Sequence, residues 1–134
     1  MPPTAPPAFI DNFRTLAADY DAVFCDVWGV IHNGYVPFRD ACRALTGFRA
    51  GGGSVVLLTN APRTSDVVVE QLGVIGVPRD AFDAVVSSGD VTRTVMTARP
   101  RDTVFHIGPT RDLSLFGEID APVGTADTAD YVVC

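Results

Sequence analysis

The sequence predicts an α/β fold: a parallel sheet with flanking helices. Three observations carry that expectation. Short apolar runs stand at residues 22–27, 54–58, 83–86 and 103–107. Each run is mostly apolar, as buried strands of a parallel sheet are. Between the runs lie stretches with helical spacing, and strands that alternate with helices join into a parallel sheet through right-handed crossovers.

The elements follow in order. Phe13, Leu16, Ala17 and Tyr20 recur at helical spacing, which predicts a helix over 11–19 capped by Asp11 or Asn12. Residues 22–27 are the first strand. Gly29, Asn33, Gly34 and Pro37 make 29–37 a loop or small hairpin. Phe38, Ala41, Cys42, Leu45 and Phe48 predict the next helix, which Gly51, Gly52 and Gly53 end. A strand over 54–58 and a polar loop over 59–62 follow. Thr64 or Ser65 caps a helix that reaches Leu72. After the strand at 83–86, Ser87, Ser88 or Asp90 caps a helix to Ala98. A fourth strand spans 103–107, a loop with a short helix spans 108–116, and 131–134 is a fifth strand. Residues 1–8 form a Pro-rich arm, and 9–134 form one domain.

Composition narrows the function. The chain has 134 residues, one domain's length. With 47% hydrophobic residues it can bury a core. Sixteen acids against ten bases give a net charge of −6. That argues against a nucleic-acid partner, which needs a basic footprint, and against an anionic membrane surface. No apolar run approaches the roughly 18 residues of a membrane span, and Met1 to Pro7 lack the basic start of a signal peptide. The expectation is a cytoplasmic protein. All ten basic residues are Arg, so Schiff-base and P-loop lysines are excluded within this chain. Cys25, Cys42 and Cys134 have no paired spacing and read as reduced thiols.

In open parallel sheets ligands bind beyond the carboxyl ends of the strands. Three polar clusters fall there: Asp26-Val27-Trp28-Gly29, Thr59-Asn60 and Ser87-Ser88-Gly89-Asp90. Asp26 closes an apolar run, where an acid is costly unless it is paired or bound to a metal. A carboxylate so placed serves as a nucleophile or an Mg²⁺ ligand, or simply caps the loop. Thr59 and Asn60 offer hydrogen bonds to an oxyanion such as phosphate, though both also close loops commonly. Ser87 to Asp90 fit a helix cap better than a site. His106 lies in a strand and reads as structural; His32 lies in the loop after Asp26, within reach of a role there.

The stretch Phe24-Cys25-Asp26-Val27-Trp28-Gly29-Val30-Ile31-His32-Asn33-Gly34 resembles motif I of the haloacid dehalogenase-like hydrolases. Val55-Val56-Leu57-Leu58-Thr59-Asn60 resembles their motif II. The Thr-Asn pair, the His-Asn-Gly loop leading to Pro37-Phe38, and Val85-Val86-Ser87-Ser88 are similar to subclass IIA, the nitrophenyl phosphatase, phosphoglycolate phosphatase and sugar phosphatase group. Ala129 to Cys134 resemble the last core strand before that subclass's cap domain. The resemblance implies a Rossmann-like core and a phosphatase that acts on a small phosphorylated sugar or nucleotide. It implies Asp26 as nucleophile, forming an aspartyl-phosphate. It implies Mg²⁺ as cofactor, held by Asp26 and the Trp28 carbonyl. It further implies that Thr59 and Asn60, with backbone N–H groups at Trp28 and Gly29, bind the phosphoryl oxygens.

Two departures qualify the resemblance. The family's second Asp, its general acid, is here Trp28, and indole cannot transfer that proton. A sub-branch with Asp-x-Trp-Gly shares the change, and His32 is a candidate replacement acid. The later motifs, which supply a cation and the remaining metal-binding acids, have no counterpart in this chain. The resemblance spans about the first half of the family's usual length, so the chain reads as the front part of a longer protein without its cap. Alone it is expected to be inactive; the homo-oligomeric state stays open. The alternative is a phosphate- or nucleotide-binding protein that has lost catalysis. A receiver domain needs an acidic pair and a Lys, and a dinucleotide fold needs Gly-x-Gly-x-x-Gly; neither is present.

Overall fold

The computed structural model describes residues 9–134. The Pro-rich arm expected at 1–8 lies outside them. The α/β class and the parallel strands are as the sequence predicts. The helices are α1 (Phe13–Ala17), α2 (Arg39–Ala50), α3 (Ser65–Ile75) and α4 (Ser88–Thr97). The strands are β1 (Ala22–Asp26), β2 (Ser54–Thr59), β3 (Ala84–Ser87), β4 (Val104–His106) and β5 (Tyr131–Val133). Short 3₁₀ helices cover Arg79–Ala81 and Thr110–Phe116.

Local chemistry sets the boundaries. Asn12 caps α1, its side chain accepting the Arg14 N–H at 2.9 Å. This helix is shorter than the 11–19 expected. It buries no residue, and so short a helix has little to offset its nucleation cost. The third helix runs past Leu72 to Ile75, where Gly76 takes a left-handed φ of 95° and turns its N–H onto the Leu72 carbonyl. Ser87 caps α4 by accepting the Asp90 N–H at 3.1 Å.

The strands form two parallel sheets, not one. The first has the order β1-β2-β3; the second pairs β4 with β5. Strand β4 cannot join β3 because its hydrogen bonds are already committed. It pairs with β5 from Val104↔Tyr131 to His106↔Val133. It also gives the Val104 N–H to the Pro122 carbonyl and takes the Gly124 N–H on the Val104 carbonyl.

In the first sheet the register decides which side chains share a face. Cys25, Leu57 and Val85 form one cross-strand row. This face lies under α2 and α3, and its core joins Cys25, Val55 and Leu57 to Cys42, Leu45, Val68 and Leu72. Phe24, Val56 and Ala84 form a row on the opposite face, followed by Asp26, Leu58 and Val86. There Phe24 is 71% exposed, and Leu58 and Val86 are also exposed. At the amino ends of the strands, Asp83 ties the layers together. It accepts the Val55 N–H at 2.7 Å and pairs with Arg49 of α2 at 2.6 Å. No helix among the described residues is long and apolar enough to cross a membrane.

Candidate active site

The carboxyl ends of β1, β2 and β3 bring two predicted site residues, Asp26 and Thr59, together with Ser87, which the sequence reads as part of a helix cap. Asp26 ends β1, Thr59 ends β2 and Ser87 ends β3. Asp26 lies opposite Leu58, and Thr59 lies opposite Ser87. Thr59 is therefore one residue beyond Asp26's partner on a strand about 4.8 Å away. A cleft of about 620 Å³ opens over this edge, lined by Asp26, Thr59, Asn60, Ser87, Ser88 and Thr92 among others.

Each lining group has a defined state. Asp26 is exposed, and its Oδ1 accepts the Val27 N–H at 2.8 Å. Val27 is buried in the core, so this bond anchors the carboxylate from behind. Thr59 Oγ1 accepts the Ala61 N–H at 3.2 Å, which leaves the hydroxyl proton available as a donor. Asn60 is exposed at the rim. The first turn of α4 begins at Ser88, on the cleft wall. Helix starts present backbone N–H groups and a positive dipole end, which suit an anion.

The α4 start is fixed against the loop after β2. Asp90 Oδ2 accepts the Ser65 N–H at 2.9 Å and so serves the start of α3. The Gly89 N–H reaches the Ala61 carbonyl at 3.2 Å. A Cβ at Gly89 would collide with the backbone of Arg63. The sequence reading assigned Ser87 to Asp90 to a cap and missed this second role of Gly89 and Asp90. A Gly in the first turn of a helix was the available signal, because it marks a close backbone approach.

The loop after β1 departs from expectation at two residues. The Gly29 N–H, expected to face a phosphoryl group, donates to the His32 carbonyl at 2.9 Å. The loop closes on itself there, with Gly29 at φ 78°, and that donor is spent. The Trp28 N–H has no such partner among the described residues. His32 is 3% exposed and is not among the residues lining the cleft. Its Nδ1 accepts the Gly34 N–H at 2.8 Å, and its ring stands edge-on to Trp28 with centroids 5.5 Å apart. Burial pushes the His32 pKa below its ordinary value. The Trp28 indole lies over Gly34, where any Cβ would overlap the ring.

The buried thiols of Cys25 and Cys42 take no part. Burial raises the Cys25 pKa, and the Asp26 charge adds to it; burial also raises Cys42. A thiol so held stays protonated and inert. His106 packs edge-on against Phe116, as a structural residue does.

For a metal the donor chemistry is partly suited. Mg²⁺ takes hard oxygen ligands, and the Asp26 carboxylate and Trp28 carbonyl are such oxygens close in sequence. Among the described residues no group of three or more His, Cys, Asp or Glu gathers for a metal. Mg²⁺ takes a shell of about six oxygens, and these two are the ones near the Asp26 loop that could contribute.

Comparison with known proteins bears on the family and the fold. A family model described as haloacid dehalogenase-like hydrolase matches residues 23–121. No curated protein sequence matches the chain. Among solved structures, a haloacid dehalogenase-like family hydrolase from Brucella suis 1330 is 43% identical, with a TM-score of 0.84. The match covers 95% of this chain and 48% of that one. A 4-nitrophenylphosphatase from Thermotoga maritima shares the fold at 22% identity and a TM-score of 0.66, covering 87% and 45%. A glycerol phosphate phosphatase from Mycobacterium tuberculosis, in complex with magnesium, shares it at 22% and 0.62, covering 87% and 36%. The chain spans about half the length of the first of these structures or less of the others. On the family match and the 43% identity together, the chain belongs to the haloacid dehalogenase-like hydrolases.

Proposed function

We propose that this chain carries the nucleophile side of a Mg²⁺-dependent phosphatase site acting on a small phosphorylated metabolite. One observation carries the reading: the Asp26 carboxylate shares a cleft with the Thr59 hydroxyl and the first turn of α4. Asp26 attacks phosphorus and becomes an aspartyl-phosphate, which water then hydrolyses. Thr59 and Asn60 hold the phosphoryl oxygens, with the positive end of the α4 dipole beside them. The Val27 N–H steadies the carboxylate through Oδ1. Asp26 and the Trp28 carbonyl would hold Mg²⁺, which when bound supplies charge neutralisation to the phosphoryl group. The phosphatase relatives, one of them bound to magnesium, support the reading.

A second reading is phosphate binding without turnover. It rests on the indole at position 28, where the resemblance implies an acid. Hydrolysis of 4-nitrophenyl phosphate by the full-length gene product with Mg²⁺ separates the two. Turnover that Asp26→Asn abolishes supports the phosphatase. Turnover retained in the folded variant removes Asp26 from the nucleophile role, and phosphate binding with no turnover in the native protein favours the second reading.

A further inference from the structure

The loop after β1 contains an Asn-Gly pair, Asn33-Gly34. In such a pair the backbone nitrogen of the glycine can attack the side-chain carbonyl carbon of the asparagine, because no Cβ shields it. Here both reacting groups are already engaged. Asn33 Oδ1 accepts the Tyr35 and Val36 N–H groups, each at 3.0 Å. The Gly34 N–H donates to His32 Nδ1 at 2.8 Å. Gly34 has φ 91° and passes beneath the Trp28 indole, where a Cβ would meet the ring at 2.6 Å. The indole in turn stands edge-on to the buried His32 ring. The bridges Trp28↔His32 and His32↔Pro37 and the Asn33 N–H on the Val36 carbonyl at 3.3 Å close this clamp. Asn33 itself is exposed, so its amide is in water while its neighbours are packed.

From this geometry we propose that Asn33 is a deamidation site guarded by the Trp28–His32 clamp: the closed loop protects it, and opening exposes it to a conversion that prevents reclosure. Attack requires the Gly34 nitrogen to swing onto Asn33 Cγ. That motion gives up the three hydrogen bonds on the reacting groups and drives the Gly34 backbone against the indole. In the open loop the Gly34 nitrogen bonds to Asn33 Cγ and the bond from Cγ to Nδ2 breaks. The Gly34 proton leaves with the amide nitrogen as ammonia, and a cyclic imide remains. Water then opens the imide at one carbonyl or the other, giving aspartate or isoaspartate. Isoaspartate routes the main chain through the former side chain and lengthens it by a carbon. The Gly34 N–H then no longer falls on His32 Nδ1, and Gly34 no longer falls beneath the indole. Water is the one co-reactant, and the chemistry is independent of the role of Asp26.

The test follows the peptide containing Asn33 by mass spectrometry while the full-length gene product is held at neutral pH, folded in buffer and unfolded in urea. Deamidation should be at least about tenfold slower in the folded protein, the ratio given by a closed loop favoured ten to one over its open form. Equal rates, or a faster rate in the folded protein, overturn the protection. No deamidation of Asn33 in urea overturns the site itself. Trp28→Ala, which lifts the indole off Gly34, should move the folded rate toward the urea rate. An unchanged rate in the folded variant removes Trp28 from the guard, and the native comparison stands whether or not that variant folds. In the isolated isoaspartate form, amide hydrogen exchange across residues 28–36 should be faster than in the unmodified protein. Unchanged exchange there would show that the loop recloses, against the proposal.

Discussion

The two faces of the β1-β2-β3 sheet are alike in sequence and unlike in structure. Along each strand both alternating sets of side chains are largely apolar. One set, with Cys25 and Leu57, disappears beneath α2 and α3. The other, with Phe24, Leu58 and Val86, is exposed and has Asp26 at its end. Parallel sheets ordinarily have both faces covered. The difference separates two roles: the covered face holds the strands together, and the open face has Asp26, the proposed nucleophile, at its rim.

Neighbouring leucines on one strand give the largest test of that contrast. Leu57 is fully buried and Leu58 is 40% exposed. Leu57→Ala should cost about 2–5 kcal/mol, the range for a buried leucine that leaves a cavity. Leu58→Ala should cost less than about 1 kcal/mol, since little apolar area is withdrawn from packing. Urea unfolding of the two variants measures both. Equal losses would mean that the second face is packed as tightly as the first.

A surface test comes next in size. An apolar patch beside the free edge of β1 favours association. Phe24→Glu in the 134-residue chain should lower its tendency to self-associate without lowering its unfolding midpoint by more than a small amount. Sedimentation at several concentrations reads the first effect. A native chain that stays monomeric throughout would show that the open face is not sticky.

The smallest effect concerns the clamp on the covered side. The Arg49 guanidinium beside Asp83 holds its carboxyl below the usual carboxylate range, helped by the Val55 N–H. A carboxylate with a depressed folded pKa stabilises at pH values above its unfolded pKa of about 3.9. That contribution is lost as pH falls through the lower folded value. Asp83→Asn should therefore lower stability at neutral pH slightly and flatten its pH dependence below about pH 4. Thermal melts from pH 3 to 7 check this; parallel curves for the two proteins would remove Asp83 from that role.

These contrasts also mark what could be read from sequence. Strands β1, β2 and β3 were legible because three or four consecutive apolar residues, bounded by polar ones, have few other fates in an α/β chain. Asp26 and Thr59 were legible as neighbours because each ends such a run. The split into two sheets was not legible. It depends on Pro122 and Gly124 taking up the hydrogen bonds of β4, and that segment has no periodicity. The sequence reading ends α3 at Leu72, whereas the helix runs to Ile75 and the left-handed residue that closes it is Gly76. The Trp28 clamp was hidden for another reason. It needs the backbone at Gly34 to pass under an indole six residues earlier, a contact that spacing does not encode. The same closure consumes the Gly29 N–H, which the resemblance alone assigned to phosphate.

The central claim is that Asp26 forms a covalent phosphoryl intermediate at the rim of the open face. Its most direct test is to quench the full-length gene product during turnover of 4-nitrophenyl phosphate with Mg²⁺, reduce any acyl phosphate with borohydride, and map the modified residue by mass spectrometry. The account predicts reduction of Asp26 to homoserine in the native protein, and none in Asp26→Asn. Turnover with Asp26 unmodified, or with the phosphoryl group trapped on another residue, would contradict it.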